Sequence, residues 1–243
     1  MPRPAQRFYC PDLSTPSACL AGDEAHHALD VLRVGVGTEV ELFDGQGGLA
    51  TGKVTETGRG KLTVEVAARS RLPRPSPIVH LGFAVPKGKR LDWLLEKATE
   101  LAAASLTPVI FQRSVAGGGE LGDSKRRRWQ THCLSAAKQC GLNWLPEILP
   151  PQPLQGFLAL GDDELGILGH TAAEATSLAM VLSQWRGSQP VRLLVGPEGG
   201  LTDAELASAR EAGFLPARLG RTTLRVETAA IALLAAIVAY GGD

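Results

Sequence analysis

The stretch from Leu193 to Ala230, LLVGPEGGLTDAELASAREAGFLPARLGRTTLRVETAA, constrains what this chain can fold into more than any other. Val191–Val195 is a short apolar run, as expected of a strand buried on both faces of a parallel sheet. Gly196, Gly199 and Gly200 follow it and allow close approach of backbone to a ligand. Thr202-Asp203-Ala204-Glu205 has the spacing of a capping box, and Gly213 stands where a helix C-cap glycine belongs. A second short strand ends in Gly220, and a loop carrying Arg225 and Glu227 leads into an apolar helix. Two strand-end loops this close in sequence can converge on one ligand, because parallel α/β sheets bind ligands beyond the carboxyl ends of their strands.

The rest of the chain divides near Leu72-Pro73-Arg74-Pro75-Ser76-Pro77, where three prolines in six residues disfavour helix and suit a stiff linker. Before it, strand-like pieces at Glu39–Phe43, Ala50–Thr55 and Lys61–Ala67 alternate with Gly-rich turns, the pattern of a small β-barrel. A short helical stretch at His26–Leu32 interrupts them. After it, strands at Ile78–Val85, Leu106–Phe111, Leu165–Leu168 and Val191–Val195 alternate with helices near Lys89–Ala103 and Ser124–Cys140. Gly117-Gly118-Gly119 marks a flexible loop before the second helix. The expectation is an α/β protein in two domains: residues 1–72, a linker at 73–77, and residues 78–243.

The net charge is zero over 243 residues, so the total does not point to nucleic acid. Its distribution says more: residues 78–150 hold ten basic and six acidic side chains, and residues 151–243 hold six and ten. The middle segment is the better electrostatic match to phosphate. Its densest run is Lys125-Arg126-Arg127-Arg128-Trp129, in which successive side chains point around a helix, with Trp129 expected to pack inward. Cys10, Cys19, Cys133 and Cys140 form neither a CxxC pair nor a zinc-ligand spacing, and buried thiols are expected at Cys133 and Cys140. No metal is indicated. The N-terminal MPRPAQRFYC lacks the apolar segment of a signal peptide, and Thr228–Tyr240 is shorter than the roughly 20 residues of a membrane span. A cytoplasmic protein with no membrane contact is expected.

The combination of GPEGG, a capped helix, Leu219-Gly220 and Leu224-Arg225-Val226-Glu227-Thr228-Ala229 closely resembles the small-subunit ribosomal RNA uridine-N3 methyltransferases. These belong to the SPOUT class of knotted enzymes. The resemblance extends along nearly the whole chain. It includes Arg7-Phe8-Tyr9, His27–Arg33, Gly37, Phe43-Asp44-Gly45, Glu96–Leu101, Arg113-Ser114, Arg128-Trp129, Gln139-Cys140-Gly141 and Pro146-Glu147-Ile148. It implies a PUA-like β-barrel that binds RNA, followed by a SPOUT α/β domain with a deep trefoil knot, assembled as a homodimer. The implied activity is methylation of uridine N3 in 16S ribosomal RNA, with S-adenosyl-L-methionine as cofactor and the RNA or the small ribosomal subunit as partner. Another RNA target such as tRNA, or a non-catalytic role in ribosome assembly, are the alternatives.

By this resemblance three loops cradle the cofactor: Leu168-Gly169-His170, then Gly196-Pro197-Glu198-Gly199-Gly200, then Leu219, Gly220, Leu224 and Arg225. Uracil N3 must lose a proton before it can attack, so a base, or a cation that stabilises the uracil anion, helps the reaction. Arg225 is the candidate for electrostatic support of a uracil oxygen. Glu227 either orients Arg225, accepts the proton, or caps the final helix, where a carboxylate is also favoured. Arg7, His27 and Arg33 in the first domain, with Arg113 and Lys125–Arg128 in the second, are the candidate RNA contacts. The chain departs from the family at Leu142 and Trp144, where relatives often carry basic residues. It also has Arg221-Thr222-Thr223 where Pro-Arg is common.

Overall fold

The computed structural model describes residues 6–114, 121–172 and 175–241, so the glycines at 117–119 lie outside the described residues. The chain splits into two compact units. One comprises Met1–Arg74 with Ala137–Leu145, the other Pro75–Ala136 with Pro146–Asp243. The segment Ala137–Leu145 thus groups with the N-terminal unit, a placement that a boundary drawn at the proline linker does not contain.

The first unit is built from β1 (Gln6–Tyr9), β2 (Ser17–Ala21), α1 (Gly22–His26), β3 (Glu39–Phe43), β4 (Gly48–Gly58) and β5 (Lys61–Arg71). Its five strands run in the order β1-β3-β4-β5-β2, antiparallel except for the parallel pair β1–β3. Burial alternates along β2 and the first half of β4, and Leu20, Leu42, Val54, Leu62 and Val64 join Phe8 in one core. That is the period of two expected of strands with one buried face. Register shifts between Thr51 and Gly52 and between Val54 and Glu56 bend the long β4–β5 hairpin. Helical structure begins earlier than His26: α1 starts at Gly22 and continues as a wider π turn over His27–Val31.

Ala137–Leu145 is held in this unit by part-buried and exposed polar contacts. Lys138 Nζ pairs with Glu24 at 2.6 Å. Arg7 donates to the Leu142 carbonyl at 2.9 Å and to the Asn143 side chain. Trp144 Nε1 donates to the carbonyls of Leu72 and Pro73 at 3.2 and 3.0 Å, and Arg71 and Arg74 lie over its ring. A Cβ on Gly47, at φ +93, would fall 2.6 Å from that ring. The departure at Trp144 thus places an aromatic pin in the unit, whereas the acceptor at Leu142 is the main-chain carbonyl, which any residue there would supply.

The second unit runs β6 (Val79–Phe83), α2 (Lys89–Glu100), β7 (Ser105–Ile110), α3 (Asp123–Cys140, which from Ala137 on groups with the first unit), β8 (Glu147–Ile148), β9 (Gln152–Pro153) and α4 (Leu154–Phe157). It continues with β10 (Leu165–Gly169), β11 (Thr176–Ser177), α5 (Leu178–Ser183), β12 (Val191–Val195), α6 (Asp203–Glu211), β13 (Leu215–Arg218) and α7 (Val226–Gly241). Every strand pairing is parallel, in the order β11-β13-β10-β12-β6-β7-β8, with β9 also on β7. Apolar side chains of β6, β7, β10 and β12 are buried almost without interruption, as a sheet covered on both faces requires. The sheet order sets β10 between β13 and β12, so the loops after these three strands leave the same edge side by side. This is the topological feature that creates a crevice beyond the strand ends.

In α3, Trp129 and Cys133 are each 2 % exposed, whereas Cys140 is exposed, which corrects the expectation that both thiols of this helix are buried. Seven residues along a helix bring side chains to roughly one face, but Cys140 is the last residue of the helix and is exposed there.

Candidate active site

The α6 turn forms as its sequence dictates. The Thr202 hydroxyl accepts from the Glu205 amide at 3.2 Å, and the Glu205 carboxylate accepts from the Thr202 amide at 2.8 Å. Before it, the Gly200 amide donates to the Pro197 carbonyl at 2.9 Å with Gly200 at φ +69, folding Pro197–Gly200 back over the end of β12. This tight return presents the loop backbone to the space above the sheet.

One cleft lies there. The β10 loop contributes Gly169 and His170, the β12 loop Gly196, Pro197, Glu198 and Gly200, and the β13 loop Leu219, Gly220 and Leu224. The His170 amide donates to the Ala217 carbonyl at 2.9 Å, tying the first loop to the third. A Cβ on Gly169 would meet Leu233 Cδ1 at 2.8 Å, and one on Gly196 would meet Leu201 Cδ1 at 2.4 Å. The wall is therefore bare backbone where a side chain would fill the cleft. Val195, Leu201, Val226 and Leu233 add an apolar floor, and Thr171, Thr222 and Thr223 add hydroxyls. A floor of this kind suits the flat face of a nucleoside, and the exposed amides and carbonyls suit its polar edge. Val195 and Val226 of this floor lie in the strand and the LRVETA run that the sequence singles out, whereas Leu201 and Leu233 carry no local signal for a ligand. The Thr222-Thr223 departure puts two hydroxyls into the wall.

Three expected cofactor residues stand elsewhere. Leu168 is fully buried within β10, its side chain in the core beneath the cleft. Gly199 faces Arg113, whose side chain would meet its Cβ at 3.5 Å. Arg225 precedes α7 and is exposed rather than part of the wall; its carbonyl accepts from the Ala229 amide at 2.8 Å. Glu227, in the first turn of α7, is 6 % exposed, and its Oε2 has no hydrogen-bond partner among the described residues.

The candidate RNA contacts separate into free and engaged cations. Arg7 is corrected from surface contact to internal tie. Its side chain is 12 % exposed and paired with Glu41 at 2.5 Å, and burial lowers its pKa while Glu41 opposes the shift. His27 packs edge-on against Phe8, and Arg33 is exposed at φ +55. Arg128 is held by both oxygens of Asp92 at 2.8 and 2.6 Å, Arg126 reaches the Ile148 carbonyl at 3.3 Å, and Lys125 lies over the Trp129 ring. Arg127 is exposed and has no side-chain partner among the described residues. Arg113 donates to the carbonyls of Gly199 and Leu201. Among the described residues no group of three His, Cys, Asp or Glu side chains is placed to hold a metal ion, and no helix is long and apolar enough to cross a membrane.

Comparison with known proteins agrees with this geometry. Residues 73–238 match the RNA methyltransferase domain family, and residues 20–67 match the RNA methyltransferase PUA domain. The chain is 34% identical to the ribosomal RNA small subunit methyltransferase E of Mycobacterium tuberculosis, over 90% of this chain and 85% of the relative. Among solved structures, a methyltransferase from Legionella pneumophila in complex with the cofactor SAM superposes with a TM-score of 0.86 at 30% identity, covering 98% of this chain and 99% of the other. The ribosomal RNA small subunit methyltransferase E of Neisseria gonorrhoeae, bound to S-adenosyl methionine, gives 0.83 at 30% identity over 96% of each chain. With its fold and most of its length shared, the chain belongs to the ribosomal RNA small subunit methyltransferase E family.

Proposed function

We propose that the protein transfers a methyl group from S-adenosyl-L-methionine to N3 of a uridine in 16S ribosomal RNA. The observation that carries this reading is the convergence of the β10, β12 and β13 loops on one glycine-lined cleft. Two relatives of the same fold, each 30% identical, were crystallised with this cofactor. Gly169, His170, Gly196, Pro197, Glu198, Gly200, Leu219, Gly220 and Leu224 would hold it through backbone groups and the apolar floor. When bound, the cofactor supplies an electrophilic methyl group. The remaining work is positioning, exclusion of water and proton management.

Arg225, exposed at the mouth before α7, stabilises negative charge on a uracil oxygen as N3 gives up its proton. Glu227 accepts that proton or orients Arg225. Its buried Oε2 lacks a hydrogen-bond partner among the described residues, which is the state of a group kept for a ligand rather than for the fold. The first unit contacts RNA shape and backbone, and the target base is splayed out to reach the cleft.

The segment from β13 through α7 forms the trefoil knot of the SPOUT class. A second copy covers the apolar patch that includes Met180, Leu219 and Tyr240, which are 56 %, 40 % and 51 % exposed. The protein acts in the cytoplasm, where its RNA is. Incubation of small ribosomal subunits lacking the modification with labelled S-adenosyl-L-methionine, followed by nucleoside analysis, tests the reading. Labelled 3-methyluridine is the expected product. A different methylated nucleoside would reassign the target, and no product despite cofactor binding would remove the activity.

A further inference from the structure

A second cleft opens beside the first. Phe83, the last residue of β6, pairs with Val195, the last residue of β12, so the chain leaves both strands together. The loop after β6 carries Lys87 and leads to Arg90 in the first turn of α2, and Ser114 follows β7. These three line the second cleft with Pro197 and Glu198, which also belong to the wall of the cofactor cleft.

Each of the three has unused donor capacity. Lys87 is exposed and has no hydrogen-bond or ion-pair partner among the described residues. Arg90 has Glu198 as its nearest carboxylate, at 3.6 Å, with the two side chains 41% and 49% exposed. A pair that long and that wet is worth little and is readily exchanged for a better acceptor. The Ser114 hydroxyl accepts from the Phe111 amide at 2.9 Å, which fixes its oxygen and leaves its hydrogen to donate. Two solvent-accessible cations and a fixed hydroxyl around one cleft suit a tetrahedral oxyanion. Lys87 also lines a further cleft with Lys125 and Trp129, so positive charge continues away from the cofactor cleft along this face.

We propose that Lys87, Arg90 and Ser114 seat one phosphodiester of the substrate RNA next to the nucleotide presented at the cofactor cleft, with Lys125 meeting the strand further on. The site rests on the reading of the protein as an RNA methyltransferase and gives that reading a strand path. A phosphate held here fixes the register of the strand, whereas the cofactor cleft sees only the base.

Binding of undermethylated small ribosomal subunits, measured across a range of salt concentrations, tests it with Lys87→Ala/Arg90→Ala and the charge-preserving Lys87→Arg/Arg90→Lys. Titration of S-adenosyl-L-methionine and a melting curve accompany each variant. The expected result is weaker RNA binding by the alanine pair, with the slope of log affinity against log salt reduced by about 1. The charge-preserving pair keeps the slope, and both keep wild-type affinity for the cofactor. An unchanged slope in the alanine pair, with methylation by the wild type intact, would overturn the site alone. Loss of cofactor affinity in the alanine pair would also overturn it, because the cleft would then hold the cofactor's carboxylate instead of RNA phosphate. Failure of the wild type to methylate ribosomal RNA would overturn the functional reading and the site with it.

Discussion

Arg113 Nη1 donates to the carbonyl of Gly199 at 2.9 Å. The same nitrogen reaches the Leu201 carbonyl at 3.3 Å, and the Gln112 amide donates to Glu205 at 2.7 Å. The segment after β7 thus holds the C-terminal end of the GPEGG turn and the first turn of α6, beside the cleft proposed to bind the cofactor. Arg113 is a positioning residue in this arrangement, with its second terminal nitrogen still available to RNA. Arg113→Ala should weaken cofactor binding by about fivefold, the equivalent of about 1 kcal/mol for an exposed hydrogen bond from a charged donor. Calorimetric titration of S-adenosyl-L-methionine reads this directly. Unchanged affinity would show that the turn holds its shape without the guanidinium.

Arg225 and Glu227 are separable by what each does to stability. Arg225 is exposed, so Arg225→Ala should leave the melting temperature and cofactor affinity close to wild type and lower turnover strongly. Glu227→Gln keeps the shape of a buried side chain whose Oε2 has no hydrogen-bond partner among the described residues, so stability should stay close to wild type. If Glu227 takes the uracil proton, turnover should fall by about a hundredfold or more, the scale of general-base catalysis. Single-turnover rates with saturating cofactor distinguish the cases. A stable Glu227→Gln enzyme with wild-type turnover would leave Glu227 as a helix-terminal residue only.

Gly82 tests the packing of β6. A Cβ there would lie 2.4 to 2.7 Å from three atoms of the Phe157 ring, and Phe157 is 1 % exposed. The ring has nowhere to move, so Gly82→Ala should destabilise the protein by about 1–3 kcal/mol, as overpacked cores do. Denaturant unfolding followed by tryptophan fluorescence measures it. A neutral result would mean that the ring has space on its far side.

The four thiols should sort into two classes. Burial pushes the Cys133 thiol up to about 11, and burial likewise raises that of Cys10. Cys19 and Cys140 are exposed. Since the thiolate is the reactive form, a maleimide at neutral pH should label Cys19 and Cys140 in the native protein and reach Cys10 and Cys133 only on unfolding. Peptide mapping after brief labelling checks the assignment, and early modification of Cys133 would contradict its burial.

Much of the second unit could be read from the chain because its signals are local. The apolar runs of β10 and β12, the Thr202–Glu205 capping box and the positive φ of Gly200 and Gly213 each depend on neighbours within a few residues. The shortest strands, β8, β9 and β11, have two residues each and carry no periodicity to detect.

The tertiary structure decided which charges are free. Arg7 and Arg128 read as surface cations in sequence, yet Arg7 is paired with Glu41, 34 residues away, and Arg128 with Asp92, 36 residues away. Lys87 and Arg90 drew no attention in sequence, and only the side-by-side departure of β6 and β12 brings them into the cleft beside Pro197 and Glu198. A residue's type and its local geometry are written in the chain next to it. Its partners are set by which distant segments the sheet order brings together, and that depends on packing the whole sheet at once.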